Sequence, residues 1–262
     1  MAAAGLHVET HGAGAALVLA HGFGGSARNW RPQWRALQDA FAITLYDARG
    51  HARSAPIARA EDARAAAVVA DFAAVSEGAS AAPLIAGGLS MGAATALRFA
   101  LAHPARVRAL VLMAPPAGPA SGRGISASAL AFAEEIDRDG LEAAGARFAW
   151  GPGSGLDVQA ATFVRAGFLE HDPASLAHLL REYLARLETP AQLARELARV
   201  RVPALVVVGE RDAASLPSAH ELAAALPDAR LEVVAGAGHV VNLAQPARVN
   251  RVLREFASEL PA

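Results

Sequence analysis

The residues best suited to chemistry lie in one short stretch, Gly87-Gly88-Leu89-Ser90-Met91-Gly92-Ala93, which spells Gly-x-Ser-x-Gly around a single hydroxyl. An apolar run at 84–88 precedes it and a helix-forming run at 94–102 follows. A serine at a sharp strand-to-helix turn sits on a strained backbone with its Oγ exposed, and residues without bulk at 88 and 92 let the neighbouring backbones approach. The start of the following helix points free N–H groups and a positive dipole end at the same place, which favours an oxyanion. The chemistry served is attack by the Ser90 hydroxyl on an acyl carbon, helped by a base that removes its proton. Composition narrows the alternatives. There is no Cys, which excludes a thiolate nucleophile, a Cys-ligated zinc and a disulfide framework. Every basic residue is Arg, which excludes a Schiff-base lysine and a phosphate loop of the Gly-Lys-Ser/Thr type.

The elements that must position Ser90 can be read along the chain. With 262 residues, 53% of them apolar, the chain is near the upper limit of what one core organises. Strand-like runs fall at 6–10, 16–20, 42–46, 84–88, 108–113, 204–208 and 231–234. Several are continuous apolar runs rather than alternating ones, as in strands buried on both faces of a parallel sheet. The stretch His11-Gly12-Ala13-Gly14 is short enough to make the first two strands an antiparallel hairpin. Helical patterns follow at 31–39, 61–75, 91–102, 217–225 and 246–260. Between 115 and 203 the alternation stops, and helical patterns alone remain at 128–139, 141–148, 157–169, 174–187 and 191–200. The expectation is a core domain of 1–115 and 203–262 with a helical cap, 116–202, inserted over the C-terminal edge of the sheet. The glycine-rich loop 151–155 is a candidate hinge for that cap. The near balance of 24 basic and 25 acidic side chains, net −1, gives no electrostatic reason for a nucleic-acid or anionic-membrane partner. No signal-peptide pattern and no long uncharged apolar span is seen. A cytoplasmic protein acting on a small-molecule substrate is therefore expected, and nothing in the sequence bears on oligomeric state.

From 6 to 260 the chain resembles the α/β-hydrolase family. The resemblance implies an α/β fold: a mostly parallel, twisted sheet of about seven strands flanked by helices, with the helical cap inserted after the family's sixth strand. It also implies the partners of Ser90, because the family orders its triad as nucleophile, acid, base. Val206-Val207-Val208-Gly209-Glu210-Arg211-Asp212 matches the acid loop and puts Asp212 at the acid position, with Glu210 the competing carboxylate. Val233-Val234-Ala235-Gly236-Ala237-Gly238-His239 puts His239 at the base position. A neutral histidine takes the serine proton and returns it to the leaving group, while the carboxylate fixes its tautomer and stabilises the imidazolium. The run His21-Gly22-Phe23-Gly24-Gly25 resembles the family's oxyanion loop, so the backbone N–H groups of Phe23 and Met91 become the expected oxyanion donors. His21 is expected to be structural. Trp30 and Trp150 are candidate substrate contacts, with packing the competing role for Trp30. The run 46–54 resembles a family loop whose Asp47 and Arg49 organise the fold; it carries Ala52 where the family usually has glycine.

A serine at the elbow, rather than the aspartate that family members use to open epoxides or displace halide, points to acyl transfer without metal or organic cofactor. The expected function is hydrolysis of an ester or lactone of a small, mainly apolar substrate, as in a carboxylesterase. The alternatives are C–C bond hydrolysis of a ring-cleavage diketone, with Arg147 or Arg165 as candidates for a substrate carboxylate, and a ligand receptor on the same fold.

Overall fold

The structure is a computed structural model that describes residues 5–116, 125–151, 156 and 158–260. Seven strands form one sheet: β1 (Val8–His11), β2 (Ala15–Ala20), β3 (Phe41–Tyr46), β4 (Leu84–Leu89), β5 (Val107–Met113), β6 (Ala204–Gly209) and β7 (Ala229–Val234). Their order is β1-β3-β2-β4-β5-β6-β7. All neighbours are parallel except β1, which runs antiparallel to β3.

The expected hairpin of the first two strands is not formed, because β1 pairs with β3 and β2 lies beyond it, between β3 and β4. The link is pinned against a segment more than twenty residues further along the chain. Gly12 and Gly14 both have positive φ, +80° and +121°, and a Cβ at either would collide with the backbone of 38–41. The connection therefore crosses tightly over the start of β3 instead of reversing on itself.

Helices cover both faces. On the core side they are α1 (Arg31–Leu37), α2 (Ala65–Ala79), α3 (Met91–Ala102), α8 (Leu216–Ala225), α9 (Val241–Ala244) and α10 (Pro246–Ser258). Helix α2 begins later than the pattern at 61–75 suggests, because Arg64 is extended and a short 3-10 turn takes up 60–63. Helix α10 opens on Pro246 and buries Val249, Val252, Leu253 and Phe256, the i, i+3, i+4, i+7 stripe of an amphipathic helix. Two apolar clusters, one on each face of the sheet, make up the core.

Between β5 and β6 the described residues contain helices and no strand: α4 (Ile125–Phe148), α5 (Val158–Phe168), α6 (Pro173–Glu182) and the short α7 (Ala194–Leu197). The range of α4 holds two helical segments, as the separate patterns at 128–139 and 141–148 suggest: they part at Gly140, whose φ of 79° and ψ of 178° are not helical and suit glycine. The candidate hinge 151–155 falls, apart from Gly151, outside the described residues. Among the described residues no helix is long and apolar enough to cross a membrane.

Strand β2 connects outward to β3 on one side, while the chain returns to place β4 on its other side. In open parallel sheets such a reversal leaves a crevice beyond the carboxyl ends of the two strands. The two segments that leave those ends are His21–Gly22 after β2 and Ser90 after β4.

Candidate active site

Ser90 occupies the turn between β4 and α3 with φ 52° and ψ −114°, one of only three described non-glycine residues with positive φ. The conformation is held from both sides. Ser90 N–H donates to the Met113 carbonyl at 2.8 Å, and its own carbonyl accepts from Ala94 N–H at 3.0 Å. A Cβ at Gly88 would strike the Gly92 backbone, and one at Gly92 would strike the Ala20 carbonyl. The Gly-x-Ser-x-Gly pattern is thus required by close backbone approach.

The expected acid and base meet. His239 Nδ1 lies 2.8 Å from Asp212 Oδ2. Strands β6 and β7 are adjacent and parallel, and a side chain at Gly209 would collide with the carbonyls of Ala237 and Gly238, so the two loops can touch. Asp212 is 5% exposed and also accepts from Ser215 N–H at 3.1 Å. Burial alone would raise its pKa, but the bonds from His239 and Ser215 outweigh that and hold the carboxyl below its ordinary value. The ionised carboxylate then accepts a hydrogen bond from Nδ1–H, leaving Nε2 as the basic nitrogen. Among the described residues no hydrogen bond joins Ser90 Oγ to His239. Glu210, the competing carboxylate, is exposed and accepts from Gly236 N–H at 2.9 Å. It props the loop that carries His239.

The loop after β2 passes next to the serine: a Cβ at Gly22 would sit 3.6 Å from Ser90 Cβ. Neither the Phe23 N–H nor the Met91 N–H has a hydrogen-bond partner among the described residues. The loop is held by two histidines. His21 Nε2 accepts from Ala48 N–H at 2.9 Å while its Nδ1–H donates to the Gly22 carbonyl at 2.8 Å. His51 Nε2 accepts from Gly24 N–H at 3.1 Å, with Nδ1–H donating to the Arg49 carbonyl at 3.1 Å. Each ring is used once as acceptor and once as donor, so both are neutral. Burial pushes His21 down to about 4 and His51 well below its ordinary value, which suits structural histidines. Ala52, close to His51, adopts φ 43° where a glycine would be unstrained.

The inserted helices reach this loop. His171 Nε2–H donates to the Gly25 carbonyl at 3.0 Å, and Arg28 pairs with Glu170. Phe23 meets Phe132 and Phe168 edge to face at 5.5 and 6.1 Å, and the Phe168 ring lies where a side chain at Gly24 would be. Trp150 packs edge-on to Phe168 at 5.4 Å and over Gly145. Trp30 is placed elsewhere. It is 1% exposed, in the apolar cluster with Leu37 and Phe41, so the expectation of substrate contact is replaced by packing. Arg147 and Arg165 are engaged with Glu135 and Glu142.

Two residues of the site stand outside those expected from sequence: Ser215, whose Oγ is 3.3 Å from His239 Nδ1, and His171. For Ser215 a signal was present: Asp-x-x-Ser is the spacing at which an aspartate caps the third following N–H. For His171, outside any motif, there was none.

The model of the α/β hydrolase family matches residues 17–252. The chain belongs to the α/β-hydrolase family. A protein of Azorhizobium caulinodans provisionally named carbamate hydrolase RutD is 32% identical, over 98% of this chain and 96% of its own length. A thermophilic esterase from Thermogutta terrifontis superposes with a TM-score of 0.85 at 26% identity, covering 97% of this chain and 93% of that one. An enol-lactonase from Burkholderia xenovorans LB400 superposes with a TM-score of 0.82 at 23% identity, covering 97% and 96%, and shares the fold.

Proposed function

We propose that the chain is a serine hydrolase that cleaves an ester or lactone of a small, mainly apolar substrate through an acyl-enzyme on Ser90. The observation that carries this reading is the Asp212–His239 pair at 2.8 Å, set on the same sheet edge as a serine held at φ 52°. His239 Nε2 takes the Ser90 proton as Oγ attacks the carbonyl carbon. The tetrahedral oxyanion is received by the N–H groups of Phe23 and Met91, and such donors contribute about 3–4 kcal/mol each. The proton passes from His239 to the departing alcohol. Water, deprotonated by the same nitrogen, then releases the acid and regenerates the hydroxyl. Residues 116–202 act as a cap, and the Phe23–Phe132–Phe168 cluster gives the site an apolar wall.

A second reading, carbamate cleavage, is favoured by the 32% identical relative, whose name specifies that reaction. It uses the same acyl chemistry with nitrogen on the carbonyl carbon. C–C bond hydrolysis has less support, because the two arginines suggested for a substrate carboxylate are already paired with glutamates. The test is turnover of a matched series of p-nitrophenyl esters and aryl carbamates. Ester turnover with kcat/KM at least tenfold above the carbamates supports the first reading, and the reverse order supports the second.

A further inference from the structure

A buried pair of side-chain amides links the segment that carries His239 to the loop that carries Phe23. Gln33 lies on α1, and Asn242 lies on α9, three residues beyond His239; both are 0% exposed. Gln33 Nε2 donates to the Asn242 carbonyl at 2.9 Å. Asn242 Nδ2 donates to Gln33 Oε1 at 3.2 Å and to the Asn29 carbonyl at 2.9 Å. Asn29 Oδ1 in turn accepts from Ser26 N–H at 2.9 Å, and the adjoining turn closes with Gly25 N–H on the Gly22 carbonyl at 3.0 Å. Hydrogen bonds therefore lead from the helix that follows the base to the turn that presents the Phe23 N–H.

Packing alone does not account for an asparagine here. Its Oδ1 has no partner among the described residues. A buried acceptor left in that state costs about 1–3 kcal/mol, which a leucine of similar size would avoid. Direction is what the amides add. Apolar contacts tolerate sliding, whereas a reciprocal amide pair fixes both distance and rotation.

We propose that Gln33 and Asn242 are positioning residues that hold the His239 base and the Phe23 oxyanion donor in register. The proposal rests on the serine-hydrolase reading of the site. Neither residue touches the reacting atoms. They act by setting where Nε2 and the Phe23 N–H stand relative to Ser90, and a misplacement of about 1 Å can lower a rate roughly 100-fold.

The test compares Gln33→Ala, Asn242→Ala and the double alanine variant, with Ser90→Ala alongside. Rates on p-nitrophenyl butyrate are expressed per active site, counted by burst release of p-nitrophenol well below each variant's melting temperature. Each single alanine variant is expected to lower kcat about 10- to 100-fold with KM within about twofold. The double variant should fall no further than the worse single one. A kcat per active site unchanged while Tm falls would overturn the proposal, as would additive losses in the double variant. Activity retained by Ser90→Ala would instead overturn the serine reading on which it rests.

Discussion

Replacing Asp212 by asparagine changes one atom and should reverse the polarity of the base. In the wild-type site Asp212 Oδ2 accepts a hydrogen bond from His239 Nδ1–H at 2.8 Å, and Oδ1 accepts one from Ser215 N–H at 3.1 Å. An asparagine keeps its oxygen on Ser215 N–H, which cannot accept, and so turns its NH2 toward His239. Donor then faces donor until the imidazole moves its proton to Nε2. In that tautomer Nε2 cannot take the Ser90 proton. The same substitution in a serine-protease triad lowers kcat about 10⁴-fold with the geometry intact. At 1.36 kcal/mol per decade that is about 5 kcal/mol of transition-state stabilisation. The side chain is nearly isosteric, so folding should survive, and far-UV circular dichroism and Tm report whether it does. Glu210→Gln is the control, because Glu210 only props the Gly236 N–H from the surface; its kcat should stay within about threefold, as for a surface change away from the reacting atoms. The assay is kcat on p-nitrophenyl butyrate at pH 7.5. Asp212→Asn within tenfold of wild type, or Glu210→Gln the more damaging of the two, would refute the assignment of the acid.

Other outcomes follow from the same geometry. Gly24→Ala places a methyl at φ +68° against the Phe168 ring and displaces the Gly24 N–H from His51, so kcat should fall about 100-fold, the scale of a lost oxyanion donor; undiminished turnover would contradict the role given to this loop. Ala52→Gly relieves a φ of 43°, and after the added freedom of the unfolded chain it should still raise stability by about 0.5–1 kcal/mol, read from urea unfolding. Stability should also depend on acid. The unfolded chain protonates His21 near 6.5 and the folded chain only near 4, so stability is lost as pH falls between those values. Integrated over that window His21 alone contributes about 3 kcal/mol, and His51 and His171, also held down by burial, add in the same direction. Equal unfolding free energies at pH 7.5 and 5 would contradict this.

How far the sequence revealed the molecule depends on whether each feature is local. The elbow was legible because close backbone contacts demand glycine at 88 and 92, and a requirement of that kind leaves a pattern. The parallel strands were legible as continuous apolar runs. The pairing of β1 with β3 was not, because a short glycine-rich link between two strands looks alike whether the chain reverses or crosses over; only the backbone of 38–41 decides it. Trp30 carried an ambiguous signal, since an indole after a glycine-rich loop suits a pocket as well as a core. Helix α9, four residues long, is too short to show a period. The amide pair Gln33 and Asn242 joins positions 209 apart in the chain, and no local pattern marks such a contact. The histidines divided the same way: His239 follows a glycine-flanked strand end, while His51 and His171 acquire meaning only through what folds against them.

The most direct test of the central claim is release of p-nitrophenol from acetate, butyrate and octanoate esters by the wild-type protein beside Ser90→Ala. Repeated turnover that disappears in the variant, with a preference along the chain-length series, is the predicted result. A Ser90→Ala protein as active as wild type would contradict the assignment of Ser90 as nucleophile, and with it the acyl-enzyme mechanism.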